Sequence, residues 1–96
     1  MTYRLTREAE ADIIEIAEIG IRSWGIRQAQ TYHNGLFDLF ELIASTPEMA
    51  RQRSELSPPV RVQRYRAHLV IYLTEDGGGV LIVRVRHGRE DWQEDI

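Results

Sequence analysis

The stretch VRVQRYRAHLVIYLTEDGGGVLIVRVRH, residues 60–87, decides the fold. It contains three apolar-rich runs, 60–66, 69–73 and 80–86, built largely from the β-branched and aromatic residues that suit a pleated surface. The last two runs are separated by Thr74 to Gly79, whose glycine triplet is a hairpin signal. The spacing predicts an antiparallel meander. Alternate side chains of a strand share a face, so Val60, Val62, Arg64 and Arg66 fall together, as do Val80, Ile82, Arg84 and Arg86. The opposite set of the last run, Leu81, Val83 and Val85, is wholly apolar and is expected to pack under whatever covers the sheet. First and third strands of a meander run the same way, about 10 Å apart. Arg64, Arg66, Arg84 and Arg86 therefore gather at one end of the sheet if their faces coincide. Four neighbouring guanidinium groups repel unless an anion covers them. With valine and isoleucine continuing the same face, the pattern reads as a peptide groove with an apolar floor and a basic rim. The plainer alternative is a solvated strand face whose arginines pair with nearby acids.

Upstream the period changes from two to 3.6. After a short alternating stretch at residues 2–5, Thr6 offers an N-cap hydroxyl with Glu8 and Glu10 in the first turn that follows. Ala9, Ile13, Ile16, Ala17 and Gly20 recur at helical spacing, with Glu8, Asp12, Glu15 and Arg22 on the remaining faces. This helix is expected over about 7–23 and ends at Trp24 and Gly25, the indole plugging the junction. A second helix is expected from Ile26 through Ala29, Tyr32, Leu36, Leu39, Phe40 and Ile43 to near Thr46, because Pro47 cannot continue the ladder. So short a turn makes an antiparallel helical hairpin. Residues 47–59 carry three prolines and neither period, and read as a loop. The fold class is thus α+β, a helical hairpin on a small antiparallel sheet, and the 96 residues form one domain, 1–96.

Composition narrows the function classes. Apolar residues make up 43% and charged residues 28%, which fits a folded globular chain and excludes a disordered one. No apolar run is long enough for a bilayer and no signal-peptide pattern opens the chain, so a cytoplasmic location is expected. Without cysteine there are no disulfides, thiolate chemistry or cysteine-bound zinc. His33, His68 and His87 lack metal-ligand spacing, and no cofactor is expected. The formal net charge of -3 hides a segregation: residues 51–89 are basic, flanked by acidic segments at 1–50 and 90–96. A local anion-recognition surface on an otherwise acidic protein is the reading, rather than a general nucleic-acid binder. All twelve basic residues are arginine, suited to forked recognition of carboxylate or phosphate and closed to lysine catalysis.

Trp24-Gly25, Ala29, Tyr32, Leu39, Ile43, Ala44 and Pro47 resemble the second-helix pattern of a known superfamily, and Arg61, the run 68–72, the run 81–85 and His87-Gly88-Arg89 with Asp91 resemble its signature of a buried-tyrosine strand and a final strand ending in a histidine and a polar tail. The chain resembles the ParE/RelE toxins over nearly its whole length, and its C-terminal half resembles the ParE branch. Arg86 departs from the apolar residue usual at its position. The resemblance implies a sheet covered by an N-terminal helical hairpin, a ParD-like antitoxin as inhibitory partner in a hetero-oligomeric complex, and DNA gyrase as target. Contact with DNA is then expected only through the antitoxin, and none with membranes. Antitoxins of this kind are expected to wrap a flexible segment over the toxin.

The RelE branch cleaves mRNA on the ribosome, which is the competing function, and a non-toxic interaction domain of the same fold is a third. Cleavage needs a base, an acid and cations for the phosphorane-like charge. Arg64, Arg84 and His87 match the last two roles, but the lysines of that branch are absent and Tyr72 is the last tyrosine. The sequence therefore favours a binder over an enzyme. Its candidate partner contacts are Arg61, Arg64, Arg66, Arg84, Arg86, His87, Arg89 and Trp92, while Tyr72 is read as core. Trp92, a large ring in an acidic tail, either folds back on the body or enters a partner.

Overall fold

Thr6 starts the helical half. Its hydroxyl accepts a hydrogen bond from the Ala9 amide at 3.0 Å, satisfying one of the donors that a first turn leaves open. In the computed structural model, which describes residues 2–89 and 92–95, α1 runs Arg7–Trp24 and α2 runs Ile26–Ser45. Gly25 joins them at φ 90°, a conformation that glycine reaches without a Cβ clash. The helices close tightly at Gly20, where an added Cβ would lie 3.3 Å from that of Ala29. Trp24 does not plug this junction. Its ring is 68% exposed, beside Ile26 at 70%, because the close Gly20–Ala29 approach leaves no space for an indole between the helices.

The sheet has five strands, β1 (Tyr3–Leu5), β2 (Gln52–Arg53), β3 (Val60–Tyr65), β4 (His68–Thr74) and β5 (Val80–His87). Their order is β1-β5-β4-β3-β2. The meander β3-β4-β5 is antiparallel, as the spacing implied. The sheet as a whole is mixed, because β1 lies parallel to β5, Tyr3 opposite Val80 and Leu5 opposite Ile82. The stretch read as a loop contributes β2, whose Gln52 and Arg53 face Arg61 and Val60. A strand of two residues shows no period, so pairing alone reveals β2, whereas β1 falls within the alternating stretch at residues 2–5.

A register shift corrects the alternation expected in β5. Tyr72 faces Ile82 and Ile71 faces Arg84, so Val83 and Arg84 together oppose one residue of β4. Such a bulge reverses the parity of every later side chain. The residues packed under the helices are therefore Val80, Ile82 and Val85, whereas Val83 packs on the outer side of the sheet.

The main core lies between helices and sheet. Leu36, Phe40 and Ile43 of α2 and Ala9 and Ile13 of α1 close over Val70, Tyr72, Val80, Ile82 and Val85. Tyr72 is fully buried, as expected of a core residue, and donates its hydroxyl to the Pro47 carbonyl at 2.7 Å. A smaller cluster covers the other face of the sheet, with Val60, Ile71 and Trp92 at its centre. Trp92 opens a short helical turn, Trp92–Asp95, and is only 7% exposed. Of the two outcomes open to it, folding back on the body is the one found. Asp91 lies outside the described residues. No described helix is long and apolar enough to cross a membrane.

Candidate partner-binding groove

β5 outruns β1, and this mismatch organises the site. Beyond Ile82 none of the described residues forms a strand beside this edge of β5, which would leave its backbone polar groups open to pairing with another chain. Side chains close it instead. The Thr6 hydroxyl donates to the Val83 carbonyl at 2.6 Å, and the Asp12 carboxylate accepts from the Val85 amide at 3.0 Å. Asp12 also binds Arg84 through Nε at 2.8 Å and Nη2 at 3.0 Å, and Arg86 Nη1 lies 3.7 Å away. The side chains of Asp12 and Arg84 are only 12% and 16% exposed.

This arrangement corrects the picture of four bare arginines. Register does bring Arg64, Arg84 and Arg86 to one face, since Arg64 and Arg86 both oppose Leu69 and Arg84 opposes Ile71. Asp12 on α1 supplies from within the chain the anion for which a partner was invoked. Arg66 leaves the group altogether. It sits past the end of β3, in the turn before β4, at φ 52°. Arg64 donates to the Arg66 carbonyl at 3.2 Å. Arg61 lies against the Ala50 carbonyl, to which it donates, and exposed Arg89 directs its amide to His87 Nδ1 at 3.2 Å. Trp92 is turned inward, with the Arg53 guanidinium 6.0 Å from its ring centre.

A groove of about 720 Å³ lies between the helical hairpin and the end of the sheet. Ile16, Ala17 and Ile19 of α1 and Ala29 and Leu36 of α2 give it apolar walls. Val85, His68 and His87 line it from the sheet, and Arg66 and Ala67 from the β3–β4 turn. Acidic groups, Asp12 and Glu15, stand on the α1 side and basic Arg66 on the turn. Of the expected contact residues, the groove gathers Arg66, Arg86 and His87. Tyr32, Leu36 and Asp12 were missed as site residues because helical spacing says which residues share a face but not what that face meets.

A tyrosine pair braces the groove. The Tyr65 hydroxyl donates to the Tyr32 carbonyl at 2.8 Å, and their rings pack edge to face with centres 4.9 Å apart. Gly35 makes this possible, since a Cβ there would collide with the Tyr65 hydroxyl. The Tyr32 hydroxyl lies 2.7 Å from His68 Nδ1, and the His68 and His87 rings sit 5.4 Å apart. Burial pushes the Tyr32 hydroxyl above its ordinary value of 10.0, opposed by the Ala67 backbone and the Arg66 charge. Both imidazoles thus have their Nδ1 atoms engaged by the protein itself. The groove offers shape, apolar walls and separated charge, the ingredients of recognition.

Residues 3–92 match the family described as ParE toxin of type II toxin-antitoxin system, parDE. The chain belongs to the ParE toxin family. It is 35% identical over 89 residues to Toxin ParE of Escherichia coli, covering 93% of this chain and 86% of the relative. Toxin ParE1 of Caulobacter vibrioides is likewise 35% identical, over 88% of this chain and 86% of its own length. Toxin ParE1 of Mycobacterium tuberculosis is 30% identical, with 93% and 91% covered. A solved structure of the chromosomal ParDE system from P. aeruginosa superposes with a TM-score of 0.74 at 19% identity, covering 91% of this chain and 95% of that one. The ParE architecture expected from the sequence, a helical hairpin on a sheet, is the one observed.

Proposed function

We propose that this ParE-family chain poisons DNA gyrase by binding rather than catalysis, acts in the cytoplasm, and is neutralised by a ParD-like antitoxin seated in the groove. The observation that carries the antitoxin half is the groove itself: apolar walls from both helices, with acids on one side and a cation on the other. An amphipathic segment fits such a surface, its apolar face turned inward. Membership of a family defined by the parDE toxin-antitoxin system supports the pairing, as does the shared fold with a chain of the P. aeruginosa ParDE system. The binding mode of action is supported by the absence of lysine from the sequence and by imidazoles that are held in the protein's own contacts.

The test of the docking site is a groove-filling variant, Ala17→Trp, made on the half-buried α1 wall. A ParD-like antitoxin that captures the unaltered chain should fail to capture the variant while circular dichroism shows both folded. Equal capture places the antitoxin elsewhere.

A further inference from the structure

Arg66 occupies a backbone conformation that ordinary side chains avoid. Its φ of 52° lies in the left-handed region, where a Cβ crowds the neighbouring carbonyl and where glycine is the usual occupant. The turn it occupies is a two-residue connection, since Tyr65 and His68 are the closing pair, and such turns select glycine wherever φ is positive. An arginine kept there trades stability for something the guanidinium does, the direction of inference that an observed outlier licenses.

The surroundings show what it is held for. The guanidinium carbon of Arg66 lies 5.9 Å from the ring centre of Tyr65, within cation–π range. Tyr65 is itself pinned to the Tyr32 carbonyl and seated against Gly35. The chain thus orients a permanent cation at the exposed end of the groove. Among the described residues no carboxylate forms an ion pair with it. The acids that line the groove, Asp12 and Glu15, belong to the α1 side, and Asp12 is committed to Arg84 and Val85.

We infer that Arg66 is the residue that orients the antitoxin, taking a carboxylate of the docked segment at the turn end of the groove. This rests on the groove being the antitoxin site. Its consequence is polarity: a segment lying in the groove places an acidic residue at the β3–β4 turn and leaves the α1 side, with Glu15, to a basic or neutral one. A segment entering in the reverse direction meets like charge at both ends.

Arg66→Gly separates the two roles of the position. The variant relieves the backbone conformation, so its melting temperature should equal or exceed that of the unaltered chain; a lower value overturns the strain argument. Affinity for a ParD-like antitoxin that binds the unaltered chain, measured by calorimetry at low and high salt, should fall about tenfold or more, with a weaker salt dependence. Arg66→Glu should bind more weakly still and recover when the facing antitoxin carboxylate is exchanged for arginine. If the antitoxin binds the Arg66→Gly chain as tightly as before, the inference is overturned while the groove reading stands. If Ala17→Trp also binds unchanged, the groove reading has failed as well. Unchanged antitoxin affinity with lost gyrase inhibition assigns Arg66 to the target, and this too overturns it.

Discussion

Asp12 and Arg84, 72 positions apart, are joined by two charge-assisted hydrogen bonds of 2.8 and 3.0 Å across the open edge of β5. The pair fastens α1 to the strand that carries most of the sheet's contacts with the helices. It also seals, with Thr6, an edge that would otherwise template another strand. Removing the carboxylate takes two charge-assisted hydrogen bonds from a largely buried guanidinium and the acceptor from the Val85 amide. Asp12→Ala should therefore lower the unfolding free energy by about 3 kcal/mol, read from urea denaturation. A loss under about 1 kcal/mol would mean that the pair is solvated and contributes as a surface bridge does.

Gly35 and Tyr65 form a second coupled pair. Gly35→Ala puts a methyl where the Tyr65 hydroxyl sits, and forcing the ring aside breaks its bond to the Tyr32 carbonyl. The expected cost is about 1–3 kcal/mol. Tyr65→Phe in the same chain should restore part of it, because the oxygen that collides is gone. Additive losses in a double-mutant cycle would show that the two positions do not meet.

The two tryptophans report on opposite environments. Trp92 is 7% exposed and Trp24 is 68% exposed, so a Trp24→Phe chain should emit at short wavelength and resist acrylamide, while Trp92→Phe should leave a red-shifted, readily quenched signal. Trp92→Ala should also cost about 3 kcal/mol by emptying the outer cluster. Red-shifted emission from Trp92 would contradict its place against Val60 and Ile71.

Stability should have an alkaline limit set by buried phenols. Burial raises Tyr72 and Tyr32 above their ordinary value of 10.0. Groups whose folded values lie above their unfolded ones stabilise fully below pH 10.0, and this contribution is lost as pH rises through the folded values. The urea midpoint should be flat on the neutral side and fall above about pH 10, less steeply in Tyr72→Phe. That variant should cost about 1 kcal/mol at neutral pH through the unpaired Pro47 carbonyl. On the acid side, the hydrogen bond from Arg4 holds Glu75 below its ordinary 4.5. Its contribution is present above that value and disappears as pH falls through the folded one; because the pair is exposed, the effect should be small.

Period and punctuation carried much of the fold. Thr6, Gly25 and Pro47 bounded the helices nearly where they stand, and the runs at 60–66, 69–73 and 80–86 became β3, β4 and β5. Alternation failed at Val83 and Arg84, because a bulge is set by pairing with β4, which a strand's own sequence does not encode. For the same reason the arginine face was legible as residues, while the ion pairs that hold it were not. Three of its members share a side, but the counter-charge of two of them, Arg84 and Arg86, is Asp12, from a helix face that looked like solvent. Arg66 was visible as a cation and invisible as a strained turn residue, since only φ distinguishes a strand end from a left-handed corner.

DNA supercoiling tests the proposed gyrase poisoning most directly. Purified chain, freed of any antitoxin, would be titrated into DNA gyrase with relaxed plasmid, beside a ribosome-programmed mRNA cleavage reaction. Blocked supercoiling or trapped cleaved DNA, relieved by a ParD-like antitoxin and accompanied by intact mRNA, is the predicted result. Cleaved mRNA with gyrase unaffected would contradict it and turn attention to the His68, His87 and Tyr32 cluster as a catalytic centre.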